Sequence, residues 1–228
     1  MKPVALITGG ARGIGRAIAA ELATDHTVAI TYRNTPPDAL LREFPGILAL
    51  PADLSVATAA SDIIHQVMTR LGRLDVIVNN AGAISDDNTD PLATFAVNLT
   101  APMALLEAAL PHLHRGASVI NISSVNAELP AMGAVGYSAS KAALNTWTRG
   151  MAKTLGPKGI RVNGIAPGAI ERPEAPRPAE LVQAFVAMTA LGRTGIPKDI
   201  ARVARFLASD SSGFITGEVI TVSGGYRL

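Results

Sequence analysis

Tyr137 and Lys141 stand four residues apart in Tyr137-Ser138-Ala139-Ser140-Lys141, a spacing that puts two side chains on one face of a helix. A phenol near its reference pKa of ~10 is a poor base at neutral pH. An ammonium beside it stabilises the phenolate, so the expectation is a lowered pKa and a tyrosine that exchanges protons with a carbonyl or an alcohol. Ser124 ends the preceding strand region and could hydrogen-bond the same substrate oxygen. Taken alone, the pair reads equally well as an exposed Tyr and Lys on a solvated helix.

A second group has binding chemistry. Thr8-Gly9-Gly10-Ala11-Arg12-Gly13-Ile14-Gly15 joins an apolar run to a helical stretch. Glycines there permit positive φ and let backbone approach a diphosphate, and the N–H groups opening the helix receive negative charge. A plain turn is the alternative, but the place at the first strand-to-helix junction favours a dinucleotide. The spacing Gly-x-x-x-Gly-x-Gly departs from G-x-G-x-x-G. The next strand ends Thr31-Tyr32-Arg33 without a carboxylate for a ribose 2′-hydroxyl. Arg12 and Arg33 could instead flank a 2′-phosphate, which favours NADP(H) and leaves NAD(H) as the alternative.

The elements that must position these groups alternate along the chain. Val4–Thr8, Thr27–Tyr32, Ile47–Leu50, Val76–Asn79, Ser118–Ser123, Arg161–Ala166 and Val219–Val222 read as strands. Ile14–Ala23, Val56–Leu71, Leu92–Leu113, Ser138–Leu155 and Lys198–Ala208 read as helices between them. Such alternation predicts an α/β fold, a single Rossmann-type domain over residues 1–228 with a doubly wound parallel sheet of about seven strands. Hydrophobic residues make up 48% and charged residues 17% of the chain, a globular composition. The formal charge of +2 has both signs interspersed, so no nucleic-acid partner is expected. No uninterrupted apolar stretch approaches ~18 residues and no leader is read at the N-terminus, so the expectation is a cytoplasmic protein with no membrane partner. With no cysteine, thiolate metal sites and disulfides are excluded. His26, His65, His112 and His114 form no metal signature, and surface or helix-end positions are expected for them. The proline-rich stretch from Arg172 to Pro178 is read as part of a substrate lid around 171–192.

The chain resembles the short-chain dehydrogenase/reductases over nearly its whole length. The glycine loop, Asp53-Leu54, Asn79-Asn80-Ala81-Gly82, Tyr-x-x-x-Lys, Pro167-Gly168-Ala169-Ile170, Phe214-Ile215-Thr216-Gly217 and Gly224-Gly225 occur in the family's order. The likeness is to 3-oxoacyl-carrier-protein reductase-like and carbonyl-reductase-like members. It implies Tyr137 as catalytic acid/base, Lys141 lowering its pKa and holding the nicotinamide ribose, and Ser124 orienting the substrate carbonyl. Asn98 would anchor a proton-relay water. Gly9, Arg12, Gly13, Ile14, Gly15 and Arg33 would hold the phosphates, with Asp53 and Leu54 flanking the adenine. Asn80, Ala81 and Gly82 would line the adenosine side, and Pro167, Gly168 and Ile170 would face the nicotinamide. The resemblance also implies a homo-oligomer, a dimer or more readily a tetramer, pairing through Leu92–Leu113 and Ser138–Leu155. Two positions depart from the pattern: Arg172 stands where the family often has Thr, and Ser223 where Asp usually precedes the final glycines.

Two other classes compete. Ser138-Ala-Ser-Lys141 satisfies the S-x-x-K of serine acyltransferases, but S-D-N, K-T-G and G-x-S-x-G are all missing. A non-catalytic dinucleotide sensor could keep the fold, yet it would not need the full Asn98, Ser124, Tyr137 and Lys141 set. The substrate is expected to be a small carbonyl or alcohol, such as a ketone, an oxoacyl thioester or a sugar-derived carbonyl. Tyr32-Arg33 points more narrowly to a pteridine, against which Gly13 stands where an arginine would be needed. Loops around Ile84–Asp90 and Val125–Gly136 would choose among these, and Ala131, Met132 and Val135 give the second an apolar character.

Overall fold

The strand segments alternate in which core they fill. Val4 and Leu6 point into one buried cluster with Ile77, Val119 and Val162, whereas Ala5 and Ile7 point into another with Val78, Ile120 and Ile165. Side chains on successive residues of a strand face opposite sides, so strands apolar at every position need cover on both faces.

In the computed structural model, which describes residues 2–84, 86 and 90–227, that cover is present. Val4–Ile7 (β1), Thr27–Tyr32 (β2), Leu48–Pro51 (β3), Val76–Asn79 (β4), Ser118–Ile122 (β5), Arg161–Pro167 (β6) and Val219–Val222 (β7) form one sheet. Its order is β3-β2-β1-β4-β5-β6-β7, with every neighbouring pair parallel. Ala59–Leu71 (α3), Ala101–Ala109 (α5) and Val135–Leu155 (α6) contribute to the first core. Gly13–Leu22 (α1), Asp38–Glu43 (α2) and Pro197–Ala208 (α8) contribute to the second. The chain runs outward from β1 in both directions, and ligands of such sheets bind where the order reverses, beyond the carboxyl ends of the strands.

Three helical expectations need correction. α2 and Ala179–Ala187 (α7) occupy stretches read as irregular; both are short, and α2 buries Leu40 alone, too little to leave a periodic signal. α6 starts at Val135, so Tyr137 lies inside its first turn. The run read as one helix over Leu92–Leu113 is Pro91–Phe95 (α4), a π turn at Ala96–Thr100, α5, and a 3₁₀ turn at Leu110–His112. Pro102 explains the π turn: it has no N–H to give the carbonyl of Asn98. The register widens there, and Ala101 N–H bonds the carbonyl of Ala96. π turns of this kind recur at functional sites.

By length and composition alone, Pro91–His112 is apolar enough to cross a membrane, with a mean hydropathy of 1.4 over its most apolar window. The expectation against such a stretch counted only uninterrupted apolar residues. In this fold the inner face of the run is core, where Leu105, Leu106 and Ala109 pack with Ile63, Ile64 and Val67 of α3.

Candidate active site

A cavity of about 700 Å³ opens beyond the carboxyl ends of the central strands. Every residue assigned above to the dinucleotide lines it, and so do Ser124, Tyr137 and Lys141. Asn98 does not: it lies behind the wall that Gly82 and Ala83 form.

The glycine loop forms the cavity's floor on the β1 side. Gly9 (φ +65°) and Gly13 (φ +54°) adopt the left-handed conformation that only glycine enters at little cost. Arg12, the N-cap of α1, gives no side-chain cap. The amides of Gly13, Ile14 and Gly15 precede the first helical bond, from Arg16 N–H to the Arg12 carbonyl, and donate to no group among the described residues. Thr8 locks the loop to the end of β4 by accepting from the N–H groups of Asn80 and Ala81, each at 3.0 Å. The side-chain amide of Asn80 donates to the carbonyls of Thr8 (2.9 Å) and Gly9 (3.1 Å). Asn80 therefore shapes the loop, while Ala81 and Gly82 wall the cavity beside it. A diphosphate fits this cradle, because close backbone approach and free N–H groups coincide.

Gly15 shows how tight the cradle is. A Cβ there would sit 2.3 Å from the Gly9 carbonyl oxygen and 2.4 Å from Asn80 Nδ2. We expect Gly15→Ala to lose about 1–3 kcal/mol of stability in chemical denaturation, the range for overpacking, and to lose dinucleotide binding. Gly46→Ala, where a Cβ meets nothing within 4 Å, is expected to stay within ~0.5 kcal/mol of the unaltered protein.

At the β2 end of the cavity Arg12 and Arg33 are exposed, and neither makes an ion pair among the described residues. Asp53 accepts from the Ser55 N–H (3.0 Å) and hydroxyl (2.7 Å). Those bonds, with the charge of Arg33 adding to them, hold its carboxyl below the usual range. Leu54 packs against the core below it. At the other end Pro167 closes β6. Gly168 lies against the backbone of Ser223, where a Cβ would be 2.8 Å from the Ser223 Cα. Ile170 is 5% exposed, part of the second core, and bridged to Gly195.

The chemistry-bearing groups meet at the centre. Tyr137 is 9% exposed. Burial pushes its phenol up, opposed in part by a hydrogen bond with Ser124 and by the charge of Arg172. This overturns the expectation of a lowered pKa, because desolvation of the phenolate outweighs what the surroundings return. Lys141 is 4% exposed and burial alone brings its ammonium down to about 8. Its Nζ donates to the Ile122 carbonyl at 2.8 Å and lies 5.9 Å from the centre of the Tyr137 ring. Ser124 Oγ accepts from Asn126 N–H at 3.1 Å. The neighbouring Ser123 instead donates to Asn145 of α6 at 2.5 Å.

Asn98 grips Ala83 at both backbone groups, accepting from its N–H at 2.8 Å and donating to its carbonyl at 2.9 Å. It also donates to Ser140 at 3.0 Å, and Ser140 donates to the Tyr137 carbonyl at 2.6 Å. A Cβ at Gly82 would lie 3.3 Å from Asn98 Oδ1 and 3.6 Å from Lys141 Nζ. Asn98 thus ties the π turn to the helix carrying the tyrosine, one layer behind the cavity.

The sequence reading passed over the polar seam beneath this site. Asn79 donates to Asn121 and Asn121 to Thr148, both at 2.8 Å. With Ser123–Asn145, these bonds fasten α6 to β4 and β5. The signal was present: Tyr137, Lys141, Asn145 and Thr148 repeat at helical spacing on one face. Residues 85 and 87–89 of the proposed substrate loop lie outside the described residues. His114, expected at the surface, pairs at 2.8 Å with Asp75 at the start of β4, the end of that strand remote from the cavity. No group of three or more metal-binding side chains occurs among the described residues.

A twofold-wound parallel sheet with a glycine cradle and a buried Tyr–Lys–Ser cluster defines a dinucleotide-dependent oxidoreductase. Residues 9–227 match the family described as enoyl-(acyl carrier protein) reductase. An uncharacterized oxidoreductase of Methylorubrum extorquens is 38% identical across 98% of this chain and 97% of its own length. The 3-oxoacyl-(acyl-carrier-protein) reductase of Thermotoga maritima is 36% identical across 97% and 96%. Among solved structures, a short chain dehydrogenase of Burkholderia cenocepacia in complex with NADP superposes with a TM-score of 0.93. It is 35% identical and covers 98% of this chain and 97% of that one. The chain belongs to the short-chain dehydrogenase/reductase family and is an NAD(P)-dependent oxidoreductase of small molecules.

Proposed function

We propose that the protein reduces small carbonyl compounds with NADPH, Tyr137 delivering the proton. The observation that carries this reading is the convergence of Tyr137, Ser124 and Lys141 in the same cavity as the glycine cradle. A bound nicotinamide supplies hydride chemistry. Ser124 orients the substrate oxygen by hydrogen bonding. The phenol, kept protonated by burial, gives its proton to that oxygen as negative charge develops there. Lys141 holds a positive charge close to the ring at and below neutral pH, which eases the loss of that proton. Asn98 acts from behind by fixing the backbone of Ala83 and, through Ser140, of Tyr137. The test is Tyr137→Phe, with turnover expected to vanish and NADPH binding to persist.

The cofactor preference rests on Arg12 and Arg33. Two exposed guanidiniums without ion-pair partners at the adenosine end suit a 2′-phosphate, which accepts charge-assisted bonds. We expect NADPH to bind at least about tenfold more tightly than NADH. Arg33→Ala should erase most of that ratio by weakening NADPH alone, since one charge-assisted bond contributes about 1.5–3 kcal/mol. Titration by NADPH fluorescence checks both, and a preference for NADH would remove the role given to the arginines. The same reading pairs the chain with copies of itself through the outer faces of α4, α5 and α6, where Leu92 and Met103 are exposed. Light scattering of the purified protein measures that association.

A further inference from the structure

Arg172 and Glu174 lie on the segment that follows Ile170, and both reach the glycine loop. A Cβ at Gly13 would be 2.8 Å from Glu174 Oε1 and 3.4 Å from Arg172 Cδ. A carboxylate thus lies close to the first residue of α1, beside amides that donate to no group among the described residues. Anions are stabilised at such a helix end. The Arg172 stem lies along the same glycine, and its charge is felt at the phenol of Tyr137. Its guanidinium makes no hydrogen bond or ion pair among the described residues, with Glu174 or with any other group. By contrast Arg177, on the same segment, is paired: its Nη1 donates to the Ile170 carbonyl (2.7 Å) and to Glu171 (2.8 Å).

Two opposite charges therefore share one glycine without neutralising each other. The carboxylate lies beside Gly13 at the edge of the cradle, without a hydrogen bond to its amides. The guanidinium lies on the path from that cradle to the tyrosine. We propose that Arg172 and Glu174 form a charge-exchange latch on the cofactor site: Glu174 occupies the glycine loop in the free protein, and the dinucleotide's diphosphate displaces it and pairs with Arg172. The proposal rests on the functional reading above and adds two residues that set cofactor affinity in opposite directions. Glu174 competes with the diphosphate, and Arg172 retains it. A substrate anion is the other group Arg172 could meet, but its stem lies on the phosphate cradle, which favours the cofactor.

The opposite signs make the test sharp. Equilibrium titration with NADPH, read by its fluorescence, is run on the unaltered protein and on Arg172→Ala, Arg172→Lys and Glu174→Gln. Arg172→Ala should weaken NADPH by about tenfold or more, the worth of a charge-assisted bond. Arg172→Lys should recover part of that loss. Glu174→Gln should tighten NADPH by about two- to fivefold, because an anion at a helix N-terminus contributes under about 1 kcal/mol. Adenosine 2′-monophosphate, which lacks the diphosphate, should compete equally well in all four proteins. Equal losses for both nucleotides would show distortion of the loop and overturn the latch. Unchanged NADPH affinity in Arg172→Ala would also overturn it, and a raised KM for carbonyl substrate alongside would place the arginine at the substrate instead. Unaltered protein that binds neither NADPH nor NADH would overturn the functional reading itself.

Discussion

Tyr137→Phe is expected to lower kcat by about three orders of magnitude, within the range that a positioned proton donor contributes, while NADPH affinity changes less than about twofold. Only the oxygen is removed. The ring remains packed in a nearly closed position, and the glycine cradle, Arg12 and Arg33 are untouched. Ser124 still orients the substrate, so turnover should fall steeply without reaching the uncatalysed rate. Single-turnover mixing with NADPH separates the steps: binding should appear at its usual amplitude and hydride transfer should be almost lost. Retained turnover would remove Tyr137 from the acid role, and lost binding would make its role structural.

Lys141→Met should also cost at least about a hundredfold in kcat, at the lower end expected for disturbing proton transfer, and yet yield a more stable protein at pH 7. The buried ammonium has no carboxylate partner among the described residues, and burial brings it from 10.5 to about 8. Between those two values the unfolded chain holds the proton and the folded one does not, so stability rises with pH across that window. Below about 8 the folded protein carries the whole penalty, roughly 3 kcal/mol at 1.36 kcal/mol per pKa unit. Methionine removes that penalty but leaves the Ile122 carbonyl without its donor, which returns about 1–2 kcal/mol. The net gain should be about 1–2 kcal/mol at pH 7 by urea unfolding, shrinking as pH rises beyond about 8. An unchanged or lowered stability at pH 7 would mean the ammonium is compensated in the native state. Carbonyl reduction by the unaltered protein should decline over the same rise through about 8, as Lys141 loses its charge beside the phenol.

The stability of Lys141→Met depends on a feature that the chain's linear order hides. Tyr137 and Lys141 were legible as neighbours because four residues on a helix bring side chains together wherever the helix lies. Their electrostatics were not legible. The ammonium was expected to lower the phenol, whereas both groups are governed by what covers them: α6 packs against β6, and desolvation sets the direction of both shifts. Ser124 and Ser123 are adjacent in sequence, but the strand's alternation and the position of Asn145 decide which hydroxyl stays with the tyrosine.

What the sequence determined by itself is everything set by near neighbours and periodicity. Seven apolar strand segments, the glycine loop between β1 and α1, and the Tyr137–Lys141 turn need only local geometry, and the parallel order follows from their alternation. The tertiary structure alone decided that Asn98 stands behind the cavity wall, whereas the π turn carrying it has a local cause in Pro102 that went unread in the sequence. It also decided that Arg172 and Glu174, more than 150 residues from the glycine loop, lie close to Gly13. Burial and charge pairing are properties of surroundings gathered from distant parts of the chain, so they exist only once the sheet and its helices have assembled. The chemistry of Tyr137 was written in its neighbours along the helix; the direction of its pKa shift came from the fold around it.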